Sequence, residues 1–128
     1  MRLDENIFRN LLLYTESLEA DSFTRGDEFC NGFIQKHGVI KEAVIVEHLQ
    51  LAQEAGFIDA GFEEGASGGT DLNYVKRLTY DGHQLLIKIR SETTWNNIKA
   101  KIKEEGLEGS IDAVKKLGEA YLQNKLGL

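Results

Sequence analysis

The most constraining feature of the sequence is a helix-length apolar pattern that stops at a glycine and leads into two strands. From Ile40 to Ala55 apolar residues recur every three or four positions, which predicts a helix. Gly56 follows, where a helix end commonly adopts a left-handed conformation. Phe57 then begins a strand, a glycine-rich stretch at 60–71 predicts an exposed loop, and a second strand with alternating faces spans 73–78. The order predicts a hairpin that directly follows the helix.

The segment RLTYDGH, residues 77–83, has two interpretations. Asp81 and His83 could act as a proton-transfer pair, or Thr79 could cap a new helix with Asp81 in its first turn, where the helix dipole favours a negative charge. Residues two apart on a helix point in different directions, and the neighbouring sequence supplies no nucleophile. We therefore expect Thr79 to be a helix cap, Gly82 to pack against the hairpin strands, and His83 to lack an acid–base partner.

The first third of the chain contains one clear helix and one ambiguous segment. Apolar residues at three- and four-residue spacing across 3–20 predict a helix that Asp4 can cap. Residues 21–39 leave alternatives open, because 22–24 fits a short strand whereas the apolar positions within 29–34 fit one face of a helix.

Two more helices are expected after the hairpin and its capped helix. Trp95 lies on the apolar face of the first, which Ser91 or Thr93 caps, and it is interpreted as a packing anchor rather than a base-stacking platform. Ser110 caps the last helix, and the ending Leu126–Leu128 fits a glycine-terminated helix followed by an apolar residue. The chain is therefore predicted to be an α+β protein that is mainly α.

Composition limits the chain to one ordinary globular domain. Its 128 residues are 41% apolar and 28% charged, which suffices for a single hydrophobic core. Apolar runs such as 11–14 are far shorter than the roughly 18 residues that cross a bilayer, and the N-terminal sequence lacks a signal-peptide pattern. A lone Cys30 suits a reducing compartment. We expect one cytoplasmic domain over 1–128, with a core at 1–92 and a helical extension at 93–128.

The net charge of −6 is unevenly distributed. Residues 1–74 contain 5 basic and 14 acidic residues, and 75–103 contain 7 basic and 2 acidic residues. Residues 104–128 contain 3 basic and 5 acidic residues. If the protein binds a polyanion, we therefore expect the contacts to come from residues 75–103, where basic residues predominate.

Two stretches carry a resemblance to known proteins. HLQLAQEAGFI and RLTYDGHQLL resemble the helix, wing and helix of small bacterial winged helix-turn-helix regulators. Extended to VEHLQLAQEAGFI, RLTYDGHQLLIKIRSETTWNNIKAKI and LGEAYLQNKLGL, they resemble the bacterial and prophage family called domain of unknown function 2513. The resemblance runs from about Ile40 to the C-terminus, and the helix predicted at 3–20 is also compatible with it, whereas 21–39 does not align. The resemblance implies a winged helix with extra C-terminal helices, often carried on mobile elements, and it implies no activity.

Five residues are candidates for contacting nucleic acid. Lys41, Gln50 and Gln53 lie on the helix that related winged helices place in the DNA major groove, where they can contact phosphates or adenine edges. Lys76 and Arg77 lie at the base of the hairpin. The same helix and hairpin also carry carboxylates that oppose a phosphate backbone: Glu42, Glu47, Glu54, Glu63, Glu64 and Asp71.

No metal or cofactor site is predicted. His37, His48, His83 and Cys30 show none of the short spacings of a zinc site. His48 lies beside the apolar stripe of its helix and is interpreted as a histidine hydrogen-bonded within the fold.

Two function hypotheses follow from the sequence. The first is a DNA-associated transcriptional regulator of a prophage or mobile element, which rests on analogy of fold. The second is a protein–protein interaction module that docks through an acidic helix and wing, which rests on the sign of the charge. An enzyme is disfavoured, and a membrane partner is not expected; the oligomeric state is left open.

Overall fold

The computed structural model describes residues 1–66 and 68–128, and within them it shows a mainly helical α+β fold. Six helices surround one small antiparallel sheet. In chain order the elements are α1 (Glu5–Glu16), β1 (Thr24–Arg25), α2 (Gly26–His37), α3 (Glu42–Glu54), β2 (Ile58–Glu64), β3 (Thr70–Leu78), α4 (Tyr80–Ile89), α5 (Glu92–Glu104) and α6 (Ile111–Lys125).

Side-chain caps begin four of the helices, as the sequence predicted. In each case a side-chain oxygen accepts a hydrogen bond from a backbone N–H of the first turn, which satisfies a donor that the helix itself leaves unpaired. The caps are Asp4 for α1, Thr79 for α4, Ser91 for α5 and Ser110 for α6. Of the two residues proposed to cap α5, Ser91 is therefore the correct one.

The glycine stop predicted after α3 is also confirmed. Gly56 has a φ of +86°, and its N–H donates to the Gln53 carbonyl while the N–H of Phe57 donates to Ala52. These are the two bonds by which a left-handed residue closes a helix end. The turn directs the chain from α3 straight into β2.

The sheet differs from its prediction in length and in side-chain pattern. β3 lies between its two antiparallel neighbours in the order β1-β3-β2. The predicted loop at 60–71 is wrong at both ends, because β2 continues to Glu64 and β3 begins at Thr70. Ser67, within that predicted loop, lies outside the described residues.

The predicted alternation along β3 is wrong because two β-bulges interrupt it. The register passes from Asp59↔Arg77 to Ala60↔Val75, and from Gly61↔Tyr74 to Phe62↔Leu72, so Lys76 and Asn73 are extra residues on β3. Each extra residue shifts the side chains that follow by one position relative to the pleat. The buried residues of β3 are accordingly spaced by three: Leu72, Val75 and Leu78.

The ambiguous segment contains both of the elements considered for it. The strand is β1, which overlaps the considered 22–24 only at Thr24, and it pairs with β3. The helix is α2, whose Phe29, Cys30 and Phe33 are buried. Tyr14 of α1 packs edge-on against Phe29 and Phe33, with ring centroids 5.0 and 5.7 Å apart.

One hydrophobic cluster joins the α1–α4 part of the chain to the C-terminal helices. Trp95, Ile98 and Ile102 of α5 and Val114 of α6 belong to the same buried cluster as Leu11 of α1. Trp95 is 2% exposed, and its indole N–H donates to the Asn6 side chain at 3.1 Å, so its role as a packing anchor is confirmed. Across the described residues, no helix combines the length and apolar character needed to span a bilayer.

Candidate functional site

The RLTYDGH segment joins the end of α3 to the start of α4. The Thr79 hydroxyl accepts a hydrogen bond from the Gly82 N–H at 3.1 Å and donates to the Gly56 carbonyl at 2.5 Å. A Cβ on Gly82 would lie 2.1 Å from the Phe57 carbonyl oxygen, so only glycine allows this approach. The predicted roles of Thr79 and Gly82 are confirmed.

Asp81 and His83 face different surfaces. His83 is exposed on the wall of a groove of about 300 Å³, whereas Asp81 lines a separate hollow with Lys88, Lys115 and Glu119. Among the described residues the His83 imidazole makes no hydrogen bond. The two side chains therefore do not form a proton-transfer pair.

The groove beside His83 also holds two of the predicted nucleic-acid contacts. Lys76 and Arg77 line it together with the end of α1, and the bulge at Lys76 explains why neighbouring residues share one exposed face. Arg77 donates to the Leu78 carbonyl at 3.1 Å. Glu16 in the same groove is bound by both nitrogens of Arg90 at 2.8 and 2.5 Å, and this hydrogen bonding lowers the pKa of Glu16.

The other three predicted contacts do not join that groove. Lys41 is exposed at the N-terminal end of α3, about 20 Å along the helix axis from the end that leads into the hairpin. Gln50 is half-buried. Gln53 has a structural role that sequence reasoning missed, because its side-chain oxygen accepts a hydrogen bond from the Ala60 N–H at 2.6 Å. Lys41, Gln50 and Gln53 are thus not among the residues that line the groove of Lys76 and Arg77.

α3 and the hairpin both carry exposed carboxylates. Residues 42–75 contain seven acidic residues and no lysine or arginine. We define the acidic face by the exposed carboxylates of Glu42, Glu47, Glu54, Glu63, Glu64 and Asp71.

An apolar hollow opens at one end of the acidic face. It measures about 420 Å³ and is lined by Met1, Ala43, Val44 and Glu47. On the α2–α3 turn nearby in sequence, Val39 is 97% exposed. Exposed apolar groups bordered by charge are typical of protein interaction sites.

His48 is a structural residue, as the sequence indicated. It is 1% exposed; its Nδ1 lies 2.8 Å from the Val44 carbonyl, and its Nε2 accepts the Asp4 N–H at 2.9 Å. This arrangement requires the tautomer with hydrogen on Nδ1. His48 therefore holds the start of α1 against α3.

Arg9 is a buried cation that the sequence analysis did not identify. Its guanidinium donates to the Ile89 carbonyl at 2.9 Å and to the Arg90 carbonyl at 2.6 Å, at the end of α4. It also bonds Glu92 at 3.2 Å and lies 5.5 Å from the centre of the Trp95 ring. The one available signal was its position three residues before the buried Leu12, on the edge of the apolar face of α1.

Within residues 1–66 and 68–128, no three potential ligands are grouped to hold a metal ion. Cys30 is buried, and burial raises the pKa of its thiol to about 11. A thiol in this environment is a poor nucleophile and a poor metal ligand.

Comparison with known proteins places this mainly helical α+β fold in a family. The chain belongs to the family described as "Hypothetical protein (DUF2513)", whose family model matches residues 2–108. The family predicted from the resemblance is confirmed. The matched region begins well before Ile40 and includes 21–39. It stops before the ending LGEAYLQNKLGL, which was part of the resemblance.

Two similar proteins add to this comparison. An "Uncharacterized protein" of Haemophilus influenzae is 35% identical over 127 residues, which cover 98% of this chain and 99% of that protein. The solved structure described as "The Crystal Structure of smu.1704 from Streptococcus mutans UA159" is 20% identical with a TM-score of 0.48, covering 79% of this chain and 88% of that one.

Proposed function

We propose that the protein is a winged helix that binds another macromolecule and catalyses no reaction. The order α1-β1-α2-α3-β2-β3, with β1 paired to β3, supports the fold, since it consists of a helix-turn-helix followed by a hairpin wing. The separation of Asp81 from His83 supports a binding role, because it removes the acid–base pair that RLTYDGH suggested.

The acidic face is proposed to dock on a basic surface of a partner protein. The observation that carries this proposal is the absence of any lysine or arginine from 42–75, a segment with seven acidic residues. A helix in a DNA groove must instead gather cations to neutralise phosphates. The apolar hollow beside Glu47 adds an uncharged anchor, and interfaces combine such an anchor with a polar rim.

DNA association is the second candidate, and the shared groove of Lys76 and Arg77 favours it. Two cations supply little phosphate neutralisation, so we expect a dissociation constant for random duplex DNA of about 10⁻⁴ M or weaker at physiological salt. Lys41, Gln50 and Gln53 of α3 would have to approach the same DNA from a different surface.

A pull-down with charge-reversed variants tests the docking proposal. The protein is immobilised as wild type, as Glu47→Lys, and as Glu108→Lys, whose exposed position on the α5–α6 linker makes it a matched control. Host extract is applied with and without nuclease. We expect a basic protein that survives nuclease, elutes as salt is raised, and is lost at least tenfold with Glu47→Lys but not with Glu108→Lys.

The same experiment can reject the proposal. Selection from a random DNA pool is run in parallel with wild type and with the Lys76→Ala/Arg77→Ala double variant. A selected DNA motif that requires these two cations, together with partners that disappear on nuclease treatment, would establish the DNA-associated alternative.

A further inference from the structure

The outer edge of β2 carries backbone groups that face away from the sheet. β2 lies at one side of the order β1-β3-β2. Just before β2, the Phe57 carbonyl points towards β3, where it accepts the Thr79 N–H at 3.0 Å. Just after β2, the Gly65 N–H points the same way and donates to the Gly69 carbonyl at 2.6 Å. Both extra bulge residues belong to β3, so β2 itself alternates regularly between these two ends. Its outward-facing residues are therefore Ile58, Ala60, Phe62 and Glu64.

The outer edge is closed at its start and open towards the hairpin tip. The side-chain oxygen of Gln53 accepts the Ala60 N–H, which agrees with the outward direction of Ala60. Within residues 1–66 and 68–128, no hydrogen bond reaches the outward backbone groups of Phe62 or Glu64. Phe62 is half-buried against the core, whereas Glu64 is exposed. A strand edge of this kind is a template on which another extended segment adds.

The carboxylates beside the open edge favour a basic segment. Glu63 lies directly opposite Asp71 in the register, and Glu64 follows it. Like charges directly across a strand pair are destabilising. None of the ion pairs among the described residues includes any of these three carboxylates. Cationic side chains from a strand added beside β2 would therefore reduce a repulsion that the hairpin already contains.

The same carboxylates disfavour two other occupants of the edge. If two β2 edges paired antiparallel, Glu63 or Glu64 of one copy would lie opposite or diagonal to the same carboxylate of the other copy. A nucleic-acid strand would bring its phosphates beside these carboxylates. A basic protein segment is the occupant that the charge of the edge fits.

We infer that an extended basic segment of the partner protein adds antiparallel to the outer edge of β2 and extends the sheet by one strand. The inference rests on the proposed protein-docking role and names the element that docks. Antiparallel pairing is the more stable direction per residue, and it sets the side chains of the added strand. Residues opposite Phe62 bond to β2 and lie on the side of the core, whereas residues opposite Glu63 lie on the other side, beside its carboxylate. The segment therefore alternates apolar and basic residues.

Synthetic peptides of alternating lysine and valine test the backbone contacts. Methylating the valine nitrogens removes the N–H groups that point to β2, whereas methylating the lysine nitrogens removes those that point away and leaves the charge unchanged. Isothermal titration calorimetry measures binding to the full chain. We expect the valine-methylated peptide to bind at least about tenfold more weakly than the unmethylated peptide, and the lysine-methylated peptide to stay within about threefold of it. Equal weakening by both methylations, or no binding of the unmethylated peptide up to millimolar concentration, overturns the inference.

Two substitutions of Glu64 test the same edge from the protein side. Glu64→Ala removes the charge, and Glu64→Pro removes the charge together with the outward N–H, which the β2–β3 ladder does not use. We expect Glu64→Ala to weaken peptide binding about threefold and Glu64→Pro to weaken it at least about tenfold further. Circular dichroism verifies folding, and the methylated peptides decide the question if Glu64→Pro does not fold.

The two proposals fail in different ways. If Glu64→Pro binds the peptide as well as Glu64→Ala does, the backbone edge of β2 is not the docking element and strand addition is rejected. A basic partner that is still lost with Glu47→Lys in the pull-down would then keep docking through α3.

Discussion

At the scale of single residues, two buried polar side chains form hydrogen bonds with backbone groups that are distant in sequence. His48 joins α3 to the residue that caps α1, and Arg9 closes the end of α4 with two carbonyl contacts. Both replace water as the hydrogen-bond partner of backbone groups at helix ends. Such residues are costly to remove because their partners remain buried without a bond.

Replacing His48 by leucine should destabilise the protein by about 2 to 4 kcal/mol. Leucine fills a similar space but leaves the Asp4 N–H and the Val44 carbonyl without their side-chain partner. Urea unfolding followed by circular dichroism measures the change. His83→Leu is the matched control, since His83 is exposed, and it should change stability by less than about 0.5 kcal/mol. Equal effects of the two substitutions would show that His48 is not a structural residue.

At the scale of elements, the junction of α3, the hairpin and α4 depends on one close backbone contact. The Phe57 carbonyl accepts the Thr79 N–H at 3.0 Å and lies against the backbone of Gly82. The hydrogen bond holds the carbonyl in place, so it cannot move to admit a side chain. The angle between the hairpin and α4 therefore depends on the absence of a side chain at Gly82.

Gly82→Ala should destabilise the protein by about 1 to 3 kcal/mol despite the better helix propensity of alanine. The new methyl group would meet the Phe57 carbonyl oxygen at 2.1 Å, and overpacking of this kind exceeds the roughly 1 kcal/mol gained in a helix. Thermal unfolding of Gly82→Ala and of Gly69→Ala provides the comparison, because a methyl group at Gly69 meets nothing within 4 Å. Gly82→Ala at or above the wild-type melting temperature would contradict the close contact.

At the scale of the whole molecule, α1 is the helix through which separate parts of the chain are joined. It contacts α3, α4 and β3, and its last residue, Glu16, forms the bidentate pair with Arg90 after α4. Arg9 of the same helix forms an ion pair with Glu92 at the start of α5. The C-terminal helices are thus held to the α1–α4 part by charges as well as by the shared core.

The Glu16–Arg90 pair should make stability depend on acid pH. The pKa of Glu16 is lowered from its ordinary 4.5 in the folded protein, chiefly by the hydrogen bond to Arg90. Its contribution is therefore present above pH 4.5 and is lost as the pH falls through the lower folded value. Because both side chains are substantially exposed, we expect less than about 1 kcal/mol.

Unfolding in urea at pH 7 and at pH 3 measures this contribution. Glu16→Gln should be less stable than wild type at pH 7, and the difference should shrink at pH 3. Glu19→Gln is the control from the same groove, and it should not change the pH dependence. A constant difference between wild type and Glu16→Gln across this range would assign the effect to packing rather than to charge.

The local features of the fold could be predicted from the sequence alone. The caps Asp4, Thr79 and Ser110 and the glycine stop at Gly56 depend on residues within four positions of each other, so a short stretch contains all the information that is needed. The apolar faces of α1 and α5 follow equally from spacing. The recognition of the family rests on such short stretches too.

The tertiary structure alone decided how distant residues meet. The bulges at Asn73 and Lys76 arise from pairing between strands, and they place Lys76 and Arg77 on one face where simple alternation would separate them. The side-chain oxygen of Gln53 accepts a hydrogen bond because the tertiary fold brings the Ala60 N–H next to it. Asp4, the partner of His48, lies 44 residues away from it in the sequence, and Ile89, a partner of Arg9, lies 80 residues away. Such contacts depend on how whole elements pack, and no local propensity encodes that packing.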